Sequence, residues 1–223
     1  VAVKIYNRST DTSPIGSSFP HGLELEAHTT SFFQNHSVPG IVAIYNFIPT
    51  IFPGDEPIMD YLIVMEYVDS PTLQQVVDQN RPLSHTEIAT IFTSLAHTLN
   101  EIHALGLVHG DIKPNNIFPL TSPPKIIDFG LTSSSGETRP TTGTDPNQTQ
   151  RSQALGVGTP AYMAPEVITS HPATALSDQY SFAVTAYETI SGINPFGIQD
   201  GDSAIEIATK NFNNPPLSLL ETP

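Results

Sequence analysis

The densest polar cluster of the chain is His109-Gly110-Asp111-Ile112-Lys113-Pro114-Asn115-Asn116. Twelve positions beyond Asn116 stands Asp128, which opens Asp128-Phe129-Gly130 directly after the strand-like Lys125-Ile126-Ile127. A carboxylate on a loop end and a second just after a strand can hold a hard divalent cation and orient a hydroxyl, because magnesium prefers oxygen ligands and keeps waters besides. A further string follows at Gly158-Thr159-Pro160-Ala161-Tyr162-Met163-Ala164-Pro165-Glu166. Lys and Arg together number 8 against 22 Asp and Glu, so the place of each cation is informative. Lys113 lies inside the cluster, and Lys4 ends the apolar Val1-Ala2-Val3-Lys4 far away in the sequence.

Composition narrows what such residues can serve. A chain of 223 residues suits one or two domains with a self-sufficient core. The formal net charge of −14 should repel nucleic acid and anionic membrane at long range, so neither is an expected partner. No apolar run reaches the roughly 18 residues of a membrane span, and no membrane contact is expected from this segment. The absence of cysteine excludes a disulfide scaffold, thiolate-bound zinc and a thiol nucleophile, and it fits a reducing compartment. The histidines other than His109 share no metal-ligand spacing.

The elements that must position these groups are readable in outline. Val1–Tyr6 alternates like a strand, residues 23–35 read as a helix, and Ile41–Ile51 and Tyr61–Val68 read as two pairing strands. Ser84 and Glu87 have capping-box spacing, and Ile88, Ile91, Phe92, Leu95, Leu99 and Ile102 form one stripe of a long helix ending near Gly106. Short strands are expected at 117–120 and 125–127, a long loop at 132–157, and helices at about 178–191 and 203–211. Strands thus dominate the first third and helices the rest, which argues for an α+β chain in two lobes with a hinge near Glu66–Pro71. The opening strand lacks a hairpin partner, so the chain reads as a piece of something longer.

Val1-Ala2-Val3-Lys4, His109 to Asn116, Asp128-Phe129-Gly130 and Ala164-Pro165-Glu166 occur in the order of the protein-kinase signature set. The chain resembles a eukaryotic-like serine/threonine protein kinase from residue 1 to about 212, truncated at both ends. The resemblance implies a bilobal α+β fold, with residues 1–68 as an incomplete β-rich lobe and 69–223 as an incomplete, mainly helical lobe. It implies ATP and magnesium, with manganese as a substitute, and a protein substrate offering a serine or threonine acceptor. Asp111 would accept the acceptor's proton, Asp128 and Asn116 would bind magnesium, and Lys113 would neutralise the transferring group. Lys4 would contact the phosphates and be held by Glu26, with Glu24 as the alternative. Met65 would stand behind the adenine, backbone groups of Glu66 and Val68 would bond it, and Ala2 and Phe118 would sandwich it. His109 would be structural, and Asp178 would either bond the amides of residues 109–111 or cap its own helix. Lys113 with Thr159 points to serine and threonine acceptors.

Several positions depart from the family pattern. Gly110 stands where many members have an arginine that pairs with an activating phosphate, so activity is expected not to need one there. No glycine-rich phosphate loop occurs, and no arginine follows Arg151 to pair with Glu166. A buried Glu166 lacking its cation would cost roughly 3–5 kcal/mol, so these residues alone are expected to be less stable and weakly active. The alternative reading is a pseudokinase scaffold, which the presence of Lys4, Asp111, Lys113, Asn116 and Asp128 disfavours. A small-molecule kinase of the same architecture would generally lack Ala-Pro-Glu. The expected location is the cytoplasm, either free or as the cytosolic part of a longer, membrane-anchored or multidomain protein.

Overall fold

A computed structural model describes residues 1–6, 38–52, 58–79, 82–128, 160–169, 171–199 and 201–219, with side chains left undescribed at 4–6, 47, 49–52, 58–61 and 204. Three strands, β1 (Ala2–Tyr6), β2 (Ile44–Phe52) and β3 (Ile58–Met65), form an antiparallel sheet in the order β1-β3-β2. Ala2 pairs with Met65 and Lys4 with Ile63, while Ile44 pairs with Met65 from the other side. Directly paired residues share a face, so the backbone positions of Ala2 and Lys4 lie on the face that also carries Ile44, Ile63 and Met65.

After β3 the chain turns helical. Helix α1 (Leu73–Asp78) starts at a Thr72–Gln75 capping box and buries Leu73 and Val76. Its six residues carry too little periodicity to stand out in the sequence. Helix α2 (His85–Ala104) starts at the expected Ser84–Glu87 box, where each partner satisfies an otherwise orphaned backbone donor. It buries Ile91, Phe92, Leu95, Leu99 and Ile102, and these pack with Leu73, Ile112, Ile117 and Ile126 into the core beneath the polar cluster. Two-residue strands β4 (Ile117–Phe118) and β5 (Lys125–Ile126) form a hairpin. They are shorter than the expected runs 117–120 and 125–127.

Helices α3 (Pro165–Ile168), α4 (Ala175–Ser191) and α5 (Ala204–Asn213) complete the described part. The cap of α4 is Thr174, which accepts from Ser177 N; Asp178 is therefore not the cap and is available elsewhere. Gly192 ends α4 in the left-handed conformation. Phe182 on α4 meets Phe92 on α2 edge-on at 5.4 Å, which ties the two long helices together.

The segment 38–43 joins the strand-rich part to the helical part. Val42 N donates to Ile126 O at 3.1 Å and Ile126 N to Gly40 O at 2.8 Å. Thr98 on α2 donates through its hydroxyl to Pro39 O at 3.0 Å. Gly40 has φ +84°, and a Cβ there would collide with the Thr98 hydroxyl, so this close approach requires glycine. The expected helix at 23–35 and the loop at 132–157 lie outside the described residues. Among the described residues no helix is long and apolar enough to cross a membrane.

Candidate active site

The polar cluster folds as a loop whose backbone is fixed from beneath. His109 is fully buried; its ring Nε2 is 3.0 Å from Ile127 O, and Asp111 N donates to Nδ1 at 3.2 Å. That pair of contacts assigns a neutral ring protonated at Nε2. Burial holds the imidazole below the ordinary histidine range, against the opposing fields of Asp178 and Asp111. Asp178, reaching across from α4, accepts from His109 N through Oδ2 and from Gly110 N through Oδ1, each at 2.8 Å. Its Oδ2 also meets His103 Nε2 at 2.8 Å. Two of the amides expected for Asp178 are thus its partners. The resulting brace lets Gly110 sit at φ +79°, a conformation that glycine adopts without steric cost.

Above this brace, two donors converge on one oxygen of Asp111. Lys113 Nζ lies 2.7 Å from Asp111 Oδ2, and Asn116 Nδ2 donates to the same oxygen at 3.0 Å and to Asp111 O at 2.9 Å. Asn116 is buried, and its 3₁₀ turn (Pro114–Asn116) delivers its backbone carbonyl to Ile127 N at 3.0 Å. The cluster and the strand leading to Asp128 are therefore hydrogen-bonded to one another. Asp128 has φ +70°, the one positive φ among described residues other than glycine. That strain is tolerated because Ile127 is held on both sides, by Asn116 and His109.

Asp128 lines a small cavity with Val42, Ile44, Ile63, Met65, Ile126 and Ile127. Of the residues expected to meet an adenine, Met65 is on that wall and Ala2 is its strand partner. Phe118 pairs with Lys125 in the hairpin below, and Val68 follows the end of β3; neither lines the cavity. The Glu66 amide is already committed, donating to Ala43 O at 2.7 Å, so of that residue only the carbonyl is left to meet a base. Lys4 lies by backbone register on the sheet face that carries Ile63 and Met65, both of which line the cavity with Asp128. Its side chain, together with Glu24, Glu26, Phe129 and Thr159, lies outside the described residues.

The donor set suits magnesium. Because Asn116 uses Nδ2 for both bonds to Asp111, its Oδ1 is the atom that would meet a cation, and the Asp128 carboxylate is a second hard oxygen donor. Among the described residues no group of three His, Asp or Glu side chains is placed to hold a metal ion by itself.

Two expectations change. Glu166 is exposed, not buried, so water solvates its charge and the penalty for a missing arginine does not apply. Glu66 contributes more than its backbone: its carboxylate pairs with Lys125 and accepts from Ala43 N at 3.2 Å. Burial pushes the Glu66 pKa up, but the Lys125 and Ala43 hydrogen bonds and the Lys125 charge together hold it below the usual carboxylate range. The scarcity of lysine was the signal for Lys125, but its partner 59 positions away was not readable.

Comparison with known proteins gives a consistent picture. Residues 1–218 match the family described as protein kinase domain. The chain is 34% identical over 220 residues to serine/threonine-protein kinase PknA of Mycobacterium tuberculosis, covering 98% of this chain and 46% of that protein. It is 31% identical over 218 residues to serine/threonine-protein kinase PknB of the same species, covering 97% and 32%. A probable serine/threonine-protein kinase PknB of Lactococcus lactis is 35% identical over 159 residues, covering 71% and 23%. The chain spans less than half the length of these relatives.

Proposed function

The chain belongs to the protein kinase domain family, and from that premise we propose that it transfers the γ-phosphoryl group of ATP to serine and threonine hydroxyls of protein substrates. The observation that carries this reading is the convergence of Lys113 and Asn116 on Asp111 Oδ2, with Asp128 one hydrogen-bonded strand away at a cavity walled by Met65. Phosphoryl transfer asks mainly for positioning and charge neutralisation, and these residues can supply both.

In this reading Asp111 orients the acceptor hydroxyl and takes its proton through Oδ1, the oxygen that receives neither Lys113 nor Asn116. Lys113 fixes the Asp111 carboxylate through Oδ2 and faces the incoming phosphoryl group. Asp128 and Asn116 would hold magnesium, which would supply neutralisation of the phosphate charge. Lys4, with Glu26, holds the α- and β-phosphates from the sheet. Met65, with Ala2 and the Glu66 carbonyl, receives the adenine, and Val68 and Phe118, which stand outside the cavity wall, complete the expected set around it. Residues 1–68 form the strand-rich lobe and 69–223 the helical one. A reaction that consumes ATP belongs on the cytoplasmic side of a membrane, and the acidic chain steers weakly toward basic peptides.

The test is magnesium-dependent transfer of labelled γ-phosphate to a generic basic protein. Asp111→Asn should lower kcat by about 10²–10⁴-fold while ATP affinity is retained. Equal turnover in the variant would remove Asp111 from the reaction.

A further inference from the structure

Most buried polar side chains among the described residues have roles already given. His109, Asn116 and Asp178 build the loop, Thr98 secures Pro39, and Ser177 and Thr185 bond their own helix. Three remain: Ser181 on α4, Asn194 beyond its end, and Asn211 on α5, with exposures of 9%, 7% and 6%. All three reach the same short segment. Asn194 Nδ2 donates to Ala161 O at 3.4 Å, Ser181 Oγ to Tyr162 O at 2.7 Å, and Asn211 Nδ2 to Met163 O at 3.5 Å. Three consecutive carbonyls are thus held by three side chains from separate parts of the chain.

Ser181 Oγ lies also 3.1 Å from Ser177 O on its own helix, and the two asparagine amides are themselves fixed. Asn194 Oδ1 accepts from Phe196 N at 2.9 Å, and Phe196 stacks on Tyr180 with ring centres 6.0 Å apart. Tyr180 donates from its hydroxyl to Asn211 Oδ1 at 2.8 Å, which sets the amide so that Nδ2 points at Met163. Burial, reinforced by the Glu166 charge, pushes the Tyr180 pKa up to about 12, so the phenol stays a donor through the neutral range. Desolvated groups that all find partners on one segment rigidify it, because any displacement leaves a buried polar atom unpaired.

We propose that Ser181, Asn194 and Asn211 form a three-point clamp that fixes the backbone of residues 161–163 as the wall on which the acceptor peptide lies. Asn211 of α5 is then a positioning residue for the protein substrate and not for the nucleotide. This rests on the kinase reading, in which the string ending in Ala164-Pro165-Glu166 positions the peptide beside Asp111. The clamp lies entirely on α4, α5 and the turn between them, whereas the cavity beside Asp128 is built from the sheet, Val42 and residues 126–128. A loosened clamp should therefore separate the two substrates kinetically.

The experiment compares Asn211→Asp with the unaltered protein. The substitution keeps an acceptor for Tyr180 and turns an oxygen toward the Met163 carbonyl. The KM for a serine-containing peptide should rise about tenfold, the size of one lost buried hydrogen bond. The KM for ATP should stay within about twofold on the same scale, and amide hydrogen exchange across residues 161–164 should quicken. A parallel rise of both KM values, or unchanged exchange with unchanged peptide KM, would overturn the clamp. Tyr180→Phe preserves ring volume, removes only the hydroxyl, and should move the same two readouts by less; it carries the test if Asn211→Asp does not fold. If the unaltered protein phosphorylates no serine or threonine peptide, the kinase reading fails by itself. The exchange comparison still decides the clamp, with unchanged protection in both variants refuting it.

Discussion

Single side chains explain how a cluster of eight residues holds one carboxylate in a fixed orientation. Lys113 and Asn116 meet on the same Asp111 oxygen, and the buried neutral His109 fixes the Asp111 amide from behind. The reactive residue types were legible because they are contiguous in the chain. The Glu66–Lys125 pair was not, since its members meet only through the fold. That pair gives a pH prediction. A carboxylate whose folded pKa is depressed adds stability above its ordinary range and loses it as pH falls through the folded value. Lys125→Met should therefore lessen the loss of stability on acidification below about pH 4.5, measured by urea midpoints across the acid limb. Identical acid limbs in the two proteins would show that the pair has no net effect.

Secondary-structure elements place those side chains, and their legibility followed their length. Helix α2 announced itself through a capping box and an unbroken apolar stripe, and α4 through its apolar run and Gly192. Helix α1, with six residues, left almost no local pattern, whereas β4 and β5 were legible as short strand-like runs whose two-residue extent is set by tertiary pairing. The exposure of Glu166 was missed for a related reason: its environment depends on what packs around α3, not on its neighbours in sequence. The junction at Gly40 carries the clearest prediction here. Gly40→Ala would impose a methyl group on a left-handed backbone and on Thr98, whose hydroxyl also secures Pro39. The loss should be about 1–3 kcal/mol, read as a fall in Tm of roughly 2–4 °C per kcal/mol. An unchanged Tm would mean that segment 38–43 is not seated on α2 and β5 as described.

Across the chain as a whole, the charge of −14 and the brace around His109 link stability to pH. The folded His109 resists protonation, whereas the unfolded chain takes the proton near the ordinary value of about 6.5. Stability present above that value should decline as pH falls below it, so the urea midpoint should be lower at about pH 5.5 than at about pH 7.5. His109→Phe, which cannot titrate, should show a shallower decline whatever its absolute stability. Equal slopes would contradict a buried neutral imidazole. The two-part layout was legible because strand-like and helix-like patterns segregate along the sequence. The stitching of 38–43 onto β5 was not, because it rests on backbone hydrogen bonds that any side chain permits.

The central claim is that three groups remote in sequence, Lys4, Asp111 and Asp128, surround one triphosphate. A crystal structure of the protein with magnesium and a non-hydrolysable ATP analogue tests it most directly. The Lys4 ammonium should lie within hydrogen-bonding distance, about 2.7–3.2 Å, of the α- or β-phosphate oxygens. Asp128 should ligate the metal at about 2.0–2.1 Å, with Asp111 beside the terminal phosphate. A nucleotide bound elsewhere, or a Lys4 ammonium turned away from both carboxylates, would contradict the account.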